Sequence, residues 1–138
     1  MNSTPETSSL RQLALTAREK SYSPYSGKKV GSAIRLSTGQ IFTGCNVENS
    51  SYGATVCAER VAIWKAVSEL GPTIQIEEVW VSTDAAKPWT PCGICRQVIN
   101  EFATSNCQVV LMNLTGTEVQ HAFKDLLPHV FDRSALLV

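Results

Sequence analysis

Apolar and polar positions alternate along the chain with periods that change from segment to segment. Leu10, Leu13, Ala14 and Ala17 recur at helical spacing, with Thr4-Pro5-Glu6 as a start signal and the turn cluster Ser21-Tyr22-Ser23-Pro24 as a stop. Residues 30–36 alternate as a strand, Ser37-Thr38-Gly39-Gln40 turns, and residues 41–46 return as the hairpin partner. Within residues 55–70, Ala62, Ile63, Ala66, Val67 and Leu70 form a helical stripe that Gly71-Pro72 stops. Residues 77–82 read as a short β-branched strand. Residues 92–102 read as a helix with Val98, Ile99 and Phe102 inward. A strand over 108–113 follows, then a Gly116 turn, a short strand near 118–120, and a helix or turn around 123–127. The order α-β-β-α-β-α-β-β predicts an α/β domain of about five strands, its sheet covered by helices on both faces.

Composition narrows the class. A chain of 138 residues has room for one respectable core, so residues 1–138 are expected to form a single domain. Hydrophobic residues make up 43% and charged residues 17%, a globular balance without repeats, linkers or low-complexity segments. Basic and acidic residues cancel at 12 each, which argues against a surface that grips nucleic acid through phosphates. No apolar run reaches the length of a membrane span and the first residues are polar, so a cytoplasmic location is expected. Trp64 and Trp80 are expected in the core.

Five cysteines, in a reducing compartment, read as metal or redox chemistry rather than disulfides. Cys45 and Cys107 sit in strand-like stretches and read as small buried hydrophobes. The other three are arranged as Cys57-Ala58-Glu59 and Pro91-Cys92-Gly93-Ile94-Cys95. Three thiolates fill three of zinc's four tetrahedral positions and leave one open, the arrangement of a catalytic site. Cys57 opens one predicted helix, and Cys92 and Cys95 open another. Helix N-termini carry partial positive charge and free N–H groups that stabilise thiolates. Arg60 can add a formal positive charge and bond a sulfur, keeping the metal electrophilic. Glu59 follows Cys57 by two residues, a spacing that does not share a helix face, so it reads as a proton carrier rather than a fourth ligand.

Cys-x-Glu followed by Pro-Cys-x-x-Cys is the signature of zinc nucleobase deaminases. With Gly44-Cys45-Asn46-Val47-Glu48-Asn49, Arg60 and Arg96-Gln97, the chain resembles the small homotetrameric cytidine deaminases from about Ser23 to Phe131. The resemblance implies a three-layer α/β/α domain with a mixed central sheet, one zinc ion per subunit, and hydrolysis of cytidine and deoxycytidine to their uridine counterparts in pyrimidine salvage. Cys57, Cys92 and Cys95 would hold zinc. Glu59 would take a proton from the attacking water, pass it to N3 and later help protonate the leaving amine. Asn46 and Glu48 would hold the ribose hydroxyls, since an amide and a carboxylate together suit a diol. The Ala58 backbone would meet the pyrimidine edge. Phe131, after Leu126-Leu127-Pro128, would enter the base pocket of a neighbouring subunit, so active sites would be shared within a homotetramer.

One position departs from the family pattern Pro-Tyr-Ser-x-Phe-x-Val-Gly. Pro24-Tyr25-Ser26-Gly27-Lys28-Lys29-Val30-Gly31 places Lys28 where a Phe packs against the base. A lysine there can reach solvent and leave a roomier pocket, or bond a substrate group. A deaminase of a modified or non-standard cytosine nucleoside is therefore the alternative function. A nucleic-acid cytosine-editing enzyme ranks lower, because the chain is neutral and Asn46 and Glu48 fit a ribose.

Blander readings exist for the same residues. The three cysteines could form a structural zinc knot, but His121 and His129 do not lie at a finger-like spacing. A redox Cys92/Cys95 pair leaves Cys57-Ala58-Glu59 unexplained. Asn46 and Glu48 could be turn residues, Phe131 a core or interface residue, and Tyr52 either a pocket or a packed loop residue. Trp89, just before the metal loop, is a candidate for the pocket mouth.

Overall fold

The structure is a computed structural model that describes residues 5–137, so Thr4 of the expected helix start lies outside the described residues. Helix α1 spans Pro5–Arg18, and the hairpin is β1 (Gly31–Leu36) with β2 (Ile41–Cys45). Helix α2 (Ala58–Leu70), β3 (Ile76–Ser82), α3 (Gly93–Phe102), β4 (Ala103–Met112) and β5 (Glu118–Ala122) follow. The five strands form one mixed sheet in the order β2-β1-β3-β4-β5, parallel only between β3 and β4. This is the expected three-layer α/β/α architecture.

The side-chain alternation of each strand explains the layers, because successive residues point to opposite faces of a sheet. On one face Ala33, Trp80, Val110 and Met112 meet Leu10 and Ala14 of α1. On the other, Ile34, Val79, Val81, Val109 and Leu111 meet Ala62, Ile63 and Ala66 of α2 and Ile99 of α3. Each buried Val, Leu, Ile or Met among these stabilises the fold by about 1.5–3 kcal/mol before entropy is counted.

Two glycines set the helix-to-sheet distance. A Cβ on Gly31 would lie 2.0 Å from the Ala14 carbonyl oxygen and 2.6 Å from the Arg18 nitrogen. A Cβ on Gly44 would lie 2.4 Å from the Ala58 carbonyl oxygen and 2.6 Å from the Ala62 nitrogen. Helix α1 therefore rests on β1, and α2 on β2, at a spacing that only glycine allows.

Several expectations need correction. Trp64 is half-exposed rather than core, because it faces outward on α2 beneath the Arg60 guanidinium, 5.9 Å from its ring centre. Helix α2 begins at Ala58, and a short 3-10 turn occupies Tyr52–Ala54. Strand β4 begins directly after α3 at Ala103, five residues before the expected start at Gln108. Trp80 and Cys107 are buried as expected, while Cys45 is only half-buried.

Candidate active site

The site is built at the N-termini of α2 and α3, where they approach the end of β3. Cys57 is the N-cap of α2 and Cys92 the N-cap of α3, both in extended backbone, and Cys95 lies in the first turn of α3. The Cys95 backbone N–H donates to Cys92 Sγ at 3.4 Å, so the helix end itself stabilises a sulfur. Cys57 and Cys92, 35 residues apart, bring their sulfurs within 3.7 Å. All three sulfurs lie within 4.8 Å of one another. Tetrahedral zinc with Zn–S bonds of about 2.3 Å has sulfur–sulfur edges of about 3.8 Å, so the thiol set fits this ion in both softness and spacing.

The electrostatics follow from burial and from the cation alongside. Arg60 Nη2 donates to Cys57 Sγ at 3.4 Å from one turn along the same helix. The Cys57 thiol is drawn down to about 5, chiefly by hydrogen bonding from Cys95 and then by Arg60 and Cys92, against an opposing effect of burial. The Cys95 thiol moves the other way, since its hydrogen bond to Cys57 and its burial both favour the protonated form. Glu59 is buried, and its carboxyl is pushed up to about 7 by burial first and by the Cys57 charge second. A carboxyl near neutrality beside a metal site is matched to moving protons in both directions.

A cavity of 350 Å³ opens over this group. Its walls include Asn46, Glu48, Cys57, Glu59, Cys92 and Lys28. On the cavity wall, Asn46 is already engaged. Its Oδ1 accepts from the Val30 N–H at 2.9 Å and from the Ser21 hydroxyl, and its Nδ2 donates to the Lys28 carbonyl at 2.7 Å. One amide hydrogen remains for a ligand. Glu48 Oε1 accepts from the N–H groups of Tyr25 (2.9 Å) and Ser26 (3.1 Å), which leaves Oε2 for a ligand. Hydrogen bonds from Ser26, side chain and backbone, hold the Glu48 carboxyl below the usual carboxylate range.

The structure thus brings seven of the sequence-derived residues together around one cavity or its metal group: Cys57, Cys92, Cys95, Glu59, Arg60, Asn46 and Glu48. Ala58 is fully buried as the first residue of α2, where the helix makes no use of its N–H. Phe131 stands apart. It is 62% exposed and outside the cavity wall of its own chain, with its carbonyl accepting from Gln97 Nε2 at 2.9 Å. Trp89 does line the cavity, whereas Tyr52 lines a shallower neighbouring hollow with Tyr25 and Glu48. Sequence reasoning missed Val81, Thr83 and Thr90 of the cavity wall, and Ser21 beneath Asn46. None of these residue types advertises a role at its position, and Ser21 reaches Asn46 only across 25 residues of sequence.

Known proteins agree with this geometry. The family model described as the cytidine and deoxycytidylate deaminase zinc-binding region matches residues 5–111. A cytidine deaminase of Sporosarcina psychrophila is 43% identical over 120 residues, covering 87% of each chain. One from Halalkalibacterium halodurans is 42% identical over 118 residues, covering 86% of this chain and 88% of that one. The crystal structure of cytidine deaminase from Burkholderia pseudomallei superposes with a TM-score of 0.85 at 41% identity, over 90% of this chain and 98% of that one. The match to this family model over residues 5–111, the identity to cytidine deaminases over most of the chain and the shared fold make this chain a member of the cytidine and deoxycytidylate deaminase family.

Proposed function

We propose that the protein hydrolyses the exocyclic amine of cytidine and deoxycytidine, releasing ammonia and the corresponding uridine nucleoside, as a step of pyrimidine salvage. The observation that carries the reading is the buried Glu59 carboxyl beside a three-thiol group in a cavity of nucleoside size. Cys57, Cys92 and Cys95 hold one zinc ion per subunit, and Arg60 offsets the negative charge of the sulfurs. Bound there, zinc supplies a Lewis acid that makes water nucleophilic near neutral pH.

Glu59 performs the proton transfers. Its carboxylate takes the proton of the attacking water and delivers it to N3, which makes C4 more electrophilic. It then carries the second proton to the departing amine, so water is consumed and ammonia leaves. Asn46 and Glu48 orient the ribose through the free Nδ2 hydrogen and the free Oε2. The Ala58 N–H, unused by its helix, meets the pyrimidine edge.

Phe131 completes the base pocket of a neighbouring subunit in a homotetramer with shared active sites. Its exposure in the single chain and its distance from its own cavity support this assignment. The single domain works in the cytoplasm, and no described helix is long and apolar enough to cross a membrane.

One observation favours a second reading. Lys28 lines the cavity beside the ribose-binding residues, which fits a modified or non-standard cytosine nucleoside that offers it a polar group. Nucleic acid is a poorer fit to a neutral chain.

Ultraviolet-monitored deamination of cytidine, deoxycytidine and an N4-substituted cytidine tests these readings, with Glu59→Gln as the control. Glu59-dependent turnover of the plain nucleosides supports salvage. Turnover of the substituted compound alone rejects salvage in favour of the second reading.

A further inference from the structure

One guanidinium connects two parts of the site that the chain itself keeps apart. Arg96, in the first turns of α3, donates from Nε to the Pro91 carbonyl at 2.8 Å and from Nη2 to the Thr90 hydroxyl at 2.9 Å. These are the two residues that lead into Cys92. From Nη1 the same side chain donates to the Leu126 carbonyl at 2.9 Å, 30 residues away. The next residue, Gln97, donates to the Phe131 carbonyl at 2.9 Å. Adjacent side chains of the metal-binding helix therefore hold both ends of the segment that presents Phe131.

That segment needs holding. Leu126 is buried, but Phe131 projects with 62% exposure. Between them His129 adopts φ 53°, the left-handed conformation that side chains other than glycine rarely take. Such a backbone persists only where the surroundings over-determine it. The two anchored carbonyls provide that constraint. A planar guanidinium with five fixed donors can satisfy three acceptors in different directions at once, which a lysine ammonium on a flexible stem does less well.

We propose that Arg96 is a positioning residue that locks the Cys92 loop and the Phe131 arm into one unit, with Gln97 fixing the arm's far end. The metal site of one subunit then sets the arm that completes the base pocket of another. The inference rests on the proposed function for the role of Phe131, but its metal half stands without it. Residues that hold metal-bearing segments govern how tightly the ion is kept, often by 10-fold or more.

The test compares Arg96→Lys, Thr90→Val and Gln97→Ala in the zinc-loaded protein. Zinc release to a chromogenic chelator and the separate KM and kcat for cytidine are measured well below the melting temperature. Arg96→Lys is expected to release zinc about 10-fold faster and also to raise KM. Thr90→Val should speed release to a smaller extent. Gln97→Ala should raise KM several-fold while zinc release and kcat stay as in the parent. Arg96→Lys with parental zinc release, or zinc loss with parental KM, overturns the coupling even if its melting temperature falls. If the parent protein fails to turn over cytidine, the functional reading fails. Parental zinc release in Arg96→Lys would then overturn the metal half on its own.

Discussion

The Arg60 guanidinium lies 3.4 Å from the sulfur of Cys57, one helical turn away on the same face of α2. The helix that presents this thiol thus also presents its counter-charge. Three thiolates on a dication make a net negative centre, and the cation together with the helix N-termini offsets it. Arg60→Ala is expected to keep the fold and to lose zinc about 10-fold more readily. Chelator competition measures this, and parental affinity would remove Arg60 from the metal's environment.

Glu59→Gln keeps the shape of the buried side chain and removes its capacity to carry protons. Turnover should fall by roughly 100-fold to 10,000-fold, or more if both transfers depend on it, with zinc content and nucleoside binding retained. Metal analysis and ultraviolet assay of the same preparation check this. Near-parental kcat would assign the proton transfers elsewhere.

Asn46 and Glu48 should separate when mutated, although both are assigned to ribose. Asn46 is buried and satisfies the Val30 N–H and the Lys28 carbonyl, so Asn46→Ala leaves unpaired groups and should cost about 1–3 kcal/mol of stability besides raising KM. Glu48 is half-buried and ties down only the Tyr25 and Ser26 N–H groups, so it should affect KM with little change in melting temperature. Denaturant titration alongside kinetics distinguishes the two, and a Glu48→Gln variant as unstable as Asn46→Ala would contradict the assignment.

The hydrogen bonds from Ser26 also set a pH expectation. The folded-state value of Glu48 lies below its ordinary 4.5, so the interaction is present above that value and is lost as pH falls through the lowered one. The share of nucleoside affinity that depends on Glu48 should therefore stay level from pH 7 down to about 4.5. Equilibrium binding to parent and Glu48→Gln, each loaded with zinc, reads that share. A decline centred well above pH 4.5 would show that the carboxyl is not held down.

Gly31→Ala and Gly44→Ala should both destabilise by about 1–3 kcal/mol or more, since each new methyl would collide with helix backbone. Only Gly44 lies under the turn that carries Cys57 and Glu59. Gly44→Ala should therefore also lower kcat, whereas Gly31→Ala should leave kcat near the parent's. Kinetics at a temperature where both variants remain folded decide the point.

Much of this architecture is legible in single segments. Leu10 and Ala14 mark the buried stripe of α1, and the alternation through Val79, Trp80 and Val81 assigns each residue of β3 to a layer. Periodicity failed where packing rather than pattern decides. Trp64 is large and apolar yet lies outside, because the inward stripe of α2 is already filled by Ala62, Ile63 and Ala66. Strand β4 starts at Ala103 through pairing with Ile76, which its polar first residues do not advertise.

The sequence by itself determined the chemistry: three thiols, one carboxylate and one arginine at spacings that suit a catalytic zinc ion near two helix starts. Those features are local, fixed by residue type and by distances of a few positions along the chain. Only the tertiary structure decided that Cys57 and Cys92 meet at 3.7 Å, that most of Asn46 is spent inside the protein, and that Arg96 spans the metal loop and the Phe131 arm. These relationships depend on strand order and on where helices rest against the sheet. Such contacts join residues far apart in sequence, and no short-range pattern encodes them.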